Sequence, residues 1–109
     1  MNDKERIVYE ILNIVVSCCT MEIDGVQTVT AEDVLGPCKK SNVNMTRCIY
    51  VTEMLWAGFS TETIAIVLHR TEPTVRHILD AAHQFRVTSR AYRLAEAEAT
   101  LKCKELLCE

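Results

Sequence analysis

No run of about 20 apolar residues occurs in this 109-residue chain, so nothing in it predicts a membrane-spanning helix. The opening Met1-Asn2-Asp3-Lys4-Glu5-Arg6 is charged, and Ile7 to Cys19 is broken by Tyr9-Glu10, Asn13 and Ser17. That is not the apolar core of a secretory signal, and an intracellular setting follows as the expectation. The C-x-x-C pair that marks many metal and redox sites is missing as well. Of six cysteines, Cys18 and Cys19 are adjacent, while Cys38 with Cys48 and Cys103 with Cys108 lie ten and five apart. The three histidines supply no matching zinc spacing, so reduced, packed thiols are expected and no metal. No G-x-x-x-x-G-K-[ST] loop exists to cradle a nucleotide, and no repeat or low-complexity tract appears. With three glycines and two prolines, each such residue acts as punctuation for the elements around it.

A general excess of positive charge is also lacking, since the formal net charge is −3. The distribution tells more than the total. Residues 1–38 hold two Lys/Arg against seven Asp/Glu, and residues 94–109 hold two against four. The middle, residues 39–93, holds eight against four, a local excess of +4. A basic centre between acidic ends fits one DNA-facing surface on an otherwise acidic protein.

What is present is helical spacing. Ile7, Ile11, Ile14, Val15 and Cys18 form one stripe, widened by Val8, Leu12 and Val16, which predicts an N-terminal helix over 3–19. Thr20 to Val29, with Asp24-Gly25, is a loop. Thr30 then caps a short helix with Glu32 and Asp33 in its first turn, and Gly36-Pro37 stops it. After the basic connector Lys39-Lys40-Ser-Asn-Val-Asn44, the pattern resumes in Met45, Cys48, Ile49, Thr52, Leu55 and Trp56. Arg47, Tyr50 and Glu53 fall on the other faces, open to solvent or a ligand. Gly58 ends this helix.

Ser60 caps the next, two-turn helix. Thr71-Glu72-Pro73 then opens another, because Pro is tolerated in a first turn where its amide is not needed. Ile64, Ala65, Leu68, Val75 and Ile78 face inward, so the pair reads as a helix-turn-helix with Leu68-His69 where a turn glycine often stands. Thr88-Ser89 leads into a C-terminal helix over 89–107 with a thin stripe of Leu94, Ala97, Leu101 and Cys108.

If Val75, Ile78, Leu79 and Ala82 point inward, Pro73, Arg76, His77, Asp80 and Gln84 point outward. Recognition helices read bases mainly from their N-terminal residues. Glu72, Thr74, Arg76 and His77 are therefore the candidate base readers, with Thr71 at the helix start. Arginine can fork onto guanine, glutamate can accept from cytosine, and threonine can touch a thymine methyl. Arg47, Arg70, Arg86, Arg90 and Arg93 are candidate phosphate contacts, with Lys39 and Lys40 in reserve. No Ser/His/Asp or Cys/His arrangement suggests a catalytic site.

From about Val29 to Phe85 the chain resembles the C-terminal DNA-binding domain (domain IV) of the bacterial replication initiator DnaA. The resemblance is carried by Val29-Thr-Ala-Glu-Asp-Val-Leu35, the connector Lys39-Lys40, Arg47-Cys-Ile-Tyr-Val-Thr-Glu-Met-Leu55, Phe59-Ser60 through Ile64, and Arg70-Thr-Glu-Pro-Thr-Val75 with His77. It implies a minor-groove role for Arg47 and major-groove reading by Arg70, Thr74, Val75 and His77. The family's Asp-His-Thr stands here as Thr71-Glu72-Pro73. Gly58-Phe-Ser-Thr-Glu-Thr-Ile-Ala65 with Pro73-Thr-Val-Arg-His77 is also similar to the helix-turn-helix of response regulators and of sigma-factor region four.

The expectation is a single all-α domain over 1–109, a small bundle of about five to six helices with a Trp-repressor-like helix-turn-helix core over about 44–87. Its expected role is a non-enzymatic, cytoplasmic and nucleoid-associated binder of double-stranded DNA, in replication initiation or transcription regulation. It would be a stand-alone homologue without the ATPase module, with no cofactor, no nucleotide and no membrane contact. A homodimer or a protein partner would use the terminal helices. The alternative is an adaptor that kept the fold and lost DNA binding.

Overall fold

The computed structural model describes residues 3–19 and 29–108; of the loop expected over residues 20–29, all but Val29 lies outside them. The described residues form six helices in order: α1 (Asp3–Cys19), α2 (Ala31–Leu35), α3 (Ser41–Trp56), α4 (Thr61–Leu68), α5 (Glu72–Thr88) and α6 (Arg90–Leu107). Among the described residues there is no strand, and no helix is long and apolar enough to cross a membrane. The protein is an all-α bundle.

Local chemistry explains most of the boundaries. Thr30 and Asp33 form a reciprocal capping box at α2, each side chain taking the other's backbone amide at 3.1 Å. Ser60 caps α4 through the amide of Thr63, and Thr71 caps α5 through the amide of Thr74. Ser89 closes α5 with its backbone amide on the Phe85 carbonyl and opens α6 by accepting from the amide of Tyr92. Gly58, after α3, has φ of 98°, a left-handed value that glycine reaches without a Cβ penalty. In the turn between α4 and α5 that work falls to His69, at φ 55° and ψ 43°.

The organising element is α3, which contacts all five other helices. An amphipathic reading of α3 therefore fails. Arg47, Tyr50 and Glu53, expected to be open, are 5%, 0% and 2% exposed, whereas Trp56, expected in the core, is 78% exposed. Helical periodicity locates a buried face only when one side of a helix meets solvent, and the middle of α3 has no such side.

A second correction concerns α6. Leu94, Ala97, Leu101 and Cys108 are exposed, and the helix instead buries Tyr92, Ala95, Ala99 and Cys103 against the bundle. Small Ala95 and Ala99 let α6 pack closely on α1 and α3, which leaves the larger leucines outside. The stripe of α5 is as expected in direction: Val75 and Ala82 are buried, and Ile78 and Leu79 half-buried. In α1 the buried set is Val8, Ile11, Leu12, Val15, Cys18 and Cys19. All six cysteines are free thiols, and burial pushes Cys19, Cys48 and Cys103 up to about 12, so they stay protonated at neutral pH.

Gly58→Ala should lower stability by about 1 kcal/mol, whereas His69→Gly should leave it unchanged or raise it by up to about 1 kcal/mol, both read as urea midpoints. Burial raises the Glu53 pKa, so as pH climbs past the ordinary glutamate value the unfolded chain releases this proton before the folded chain does. Wild-type stability relative to Glu53→Gln should therefore fall as pH rises through that window, by up to about 1.4 kcal/mol per unit. Parallel urea-midpoint profiles for the two proteins would contradict it.

Candidate nucleic-acid interface

The helix-turn-helix is α4, the turn His69-Arg70-Thr71 and α5, with Ile64, Ala65, Leu68 and Val75 buried between them. Burying an Ile or Leu side chain stabilises by about 1.5–3 kcal/mol, so this small hinge is firmly seated. Glu72 adds a polar tie: its carboxylate accepts from the Thr61 hydroxyl of α4 at 3.2 Å and from Arg76 at 3.4 Å.

Beside the first turns of α5 lies a cleft of about 330 Å³. Lys39, Asn44, Arg47, Arg70, Thr74 and His77 line its polar part, and Ile78, Ala81 and Phe85 its apolar floor. Its lining contains three permanent cations and no acid. Thus the connector before α3, the turn and the exposed start of α5 converge on one positive surface.

The two guanidiniums in its wall have internal duties. Arg47 donates from Nε to the Val34 carbonyl at 2.9 Å and from Nη1 to Asn44 Oδ1 at 2.9 Å. Its Nη2 meets the carbonyls of Asp33, Gly36 and Cys38 at 3.0, 3.1 and 2.9 Å. These are carbonyls at the C-terminal end of α2 and just beyond it, which a helix of five residues cannot satisfy by itself. Arg70 donates from Nη2 to the same Gly36 carbonyl at 2.6 Å and from Nη1 to the Leu68 carbonyl at 2.9 Å. Burial, and then the nearby Arg70 charge, push the Arg47 pKa down. Gly36 is required in this junction, because a Cβ there would stand 2.8 Å from the Glu32 carbonyl oxygen.

No family model, no curated protein and no solved structure matches this chain.

Taken residue by residue, the candidates divide. Thr74 and His77 line the cleft and Arg76 stands on the adjoining exposed face, 67% exposed by side chain. Thr71 and Thr74 share a 3.0 Å hydroxyl contact within the cap. Arg86 lies elsewhere: nine residues after His77, a half-turn remainder puts it on the opposite side of α5. There it forms a fork with Glu96 of α6 at 2.6 and 2.9 Å, and that bond raises its pKa. Arg93 caps the end of α5 by donating to the carbonyls of Arg86 and Val87. Arg90, at the start of α6, is exposed and makes no ion pair with any described residue. Among the described residues no group of three or more His, Cys, Asp or Glu is placed to hold a metal ion.

Sequence reasoning missed Asn44, whose amide donates to the Lys39 carbonyl at 3.1 Å while its oxygen accepts from Arg47. The available signal was its position three residues before Arg47, one helical turn away on the same face.

Arg47→Ala should destabilise the fold by about 1–3 kcal/mol, since it leaves the buried Val34 carbonyl and its part-buried neighbours without a donor. Arg76→Ala, which breaks an exposed i, i+4 pair, should cost about 0.5 kcal/mol or less. Similar urea midpoints for the two variants would show that Arg47 is not the clamp described.

Proposed function

We propose that this chain binds double-stranded DNA, offering the start of α5 to the major groove and acting as a binding protein rather than a catalyst. The supporting observation is the acid-free cationic cleft of Lys39, Arg47 and Arg70, set against the exposed Arg76 and His77 of a helix-turn-helix. A phosphate at the cleft would fix the register of the helix, and the protruding side chains would read base edges.

Within that reading the arginines take different roles. Arg76 is the principal reader. Its 3.4 Å pair with Glu72 is exposed and worth about 0.5 kcal/mol or less, so a forked bond to guanine replaces it at little cost. Glu72 and Asp80, one turn to either side, repel phosphate and direct Arg76 towards bases. Lys39, Lys40 and Arg90, exposed and outside any ion pair among the described residues, serve the backbone. Arg47 supports the surface from beneath, and Arg86 belongs to the α5–α6 junction; neither reaches a groove. The resemblance to DnaA domain IV then extends to the helix-turn-helix and the connector, with the early arginine turned to a structural task. A replication accessory or a transcription regulator fits this form.

The test is selection from a random duplex pool at two salt concentrations, with the bound DNA sequenced. A motif should be enriched, and Arg76→Ala should lose about 1–3 kcal/mol of discrimination at one position while folding normally. Lys39→Ala or Arg90→Ala should reduce the magnitude of the log-affinity against log-salt slope by about one. Absence of binding at low salt overturns the proposal and points to a protein partner on the exposed Leu94, Leu101 and Trp56.

A further inference from the structure

Glu53 poses a separate problem on the far side of α3. A carboxylate 2% exposed in the middle of the core carries a desolvation cost of several kcal/mol unless it is paired. Its hydrogen-bond partner is the hydroxyl of Thr100 on α6, and no described cation forms an ion pair with it. Arg86, which shares the neighbourhood, turns its fork to Glu96 instead. A buried acid without a cation is uncommon, and here it borders empty space.

That space is a cavity of about 480 Å³ between α3, α5 and α6, in the size range of small-ligand sites. Glu53 and Thr100 form its polar end; Cys103, Leu107 and the exposed ring of Trp56 form an apolar side and mouth. The cavity is far larger than one water requires, which is about 30 Å³. Arg86, Glu96 and Lys104 also line the cavity, but Arg86 is engaged by Glu96 and no described cation forms an ion pair with Glu53, while the indole at the other end is 78% exposed.

We propose that this cavity binds a small primary amine, its ammonium head paired with Glu53 and its apolar body lying against Trp56 and Leu107. Burial is the main cause of the raised Glu53 pKa and the neighbouring Glu96 charge raises it further; a bound cation offsets both by stabilising the ionised carboxylate. Lys104 at the lining opposes it and disfavours guests with a second positive group. The site is distinct from the α5 cleft and does not depend on DNA binding.

Trp56 is the only tryptophan of the chain, so its fluorescence reports binding at its ring, and Glu53→Gln separates this cavity from the groove with Leu55 and Leu79 on the other side of the indole. Phenethylamine is titrated near neutral pH into the whole protein, with 2-phenylethanol as the neutral counterpart of the same shape. A saturable fluorescence change is expected with the amine, and binding weaker by about tenfold or more with the alcohol. Glu53→Gln, checked for folding by circular dichroism, should show the same loss. Leu107→Arg, a change at an exposed position, sets a competing guanidinium at the mouth and should also abolish binding; it carries the test if Glu53→Gln does not fold. No saturable response, equal affinity for the alcohol, or undiminished binding by either folded variant would overturn the proposal.

Discussion

One guanidinium holds this architecture together. Arg47 rises from the first half of α3 and meets four carbonyls at the end of α2 and the chain after it. A five-residue helix has too few internal bonds to persist alone, so its capping box at one end and Arg47 at the other are conditions of its existence. Arg70 completes the arrangement by reaching back from the turn to the Gly36 carbonyl, which ties the helix-turn-helix to the connector. Two like charges converge on a single peptide oxygen. The repulsion between them is offset by the dipoles of the carbonyls they satisfy, since charge-assisted hydrogen bonds are about twice as strong as neutral ones.

From that junction the positive surface follows. The carbonyl clamp brings Lys39 to the side of α5, and the tie between α4 and α5 fixes how far Arg76 and His77 protrude. The surface is therefore a product of buried bonding as much as of exposed charge. On the other side of α3 the same crowding encloses Glu53 and leaves the space at α6 that the acid borders. The two sides of one central helix present different chemistry, a cationic cleft without an acid on one and a cavity of mixed charge around Glu53 on the other.

Caps and turns were legible because their causes are local. Thr30, Ser60, Thr71 and Ser89 each bond to an amide three residues on, and a short stretch of sequence contains both partners. The turn at His69 was legible as a place and not as a strained residue, since positive φ at a non-glycine depends on what surrounds it. Of the candidate site, Thr74, Arg76 and His77 were readable from the outward phase of α5. Arg47 and Arg86 were misread, because an arginine has the same appearance in sequence whether its partner is a phosphate, a carbonyl 14 residues away or a glutamate on the next helix.

The amino-acid sequence alone determined that the chain is helical, where most of its helices begin and end, and which side of α5 turns outward, since these depend on interactions within a few residues. Only the tertiary structure decided which side of α6 is buried, that α3 has no free face along its middle, and which cations remain available to a partner. Those outcomes rest on contacts between residues far apart in the chain, and periodicity holds no information about how many neighbours a helix has.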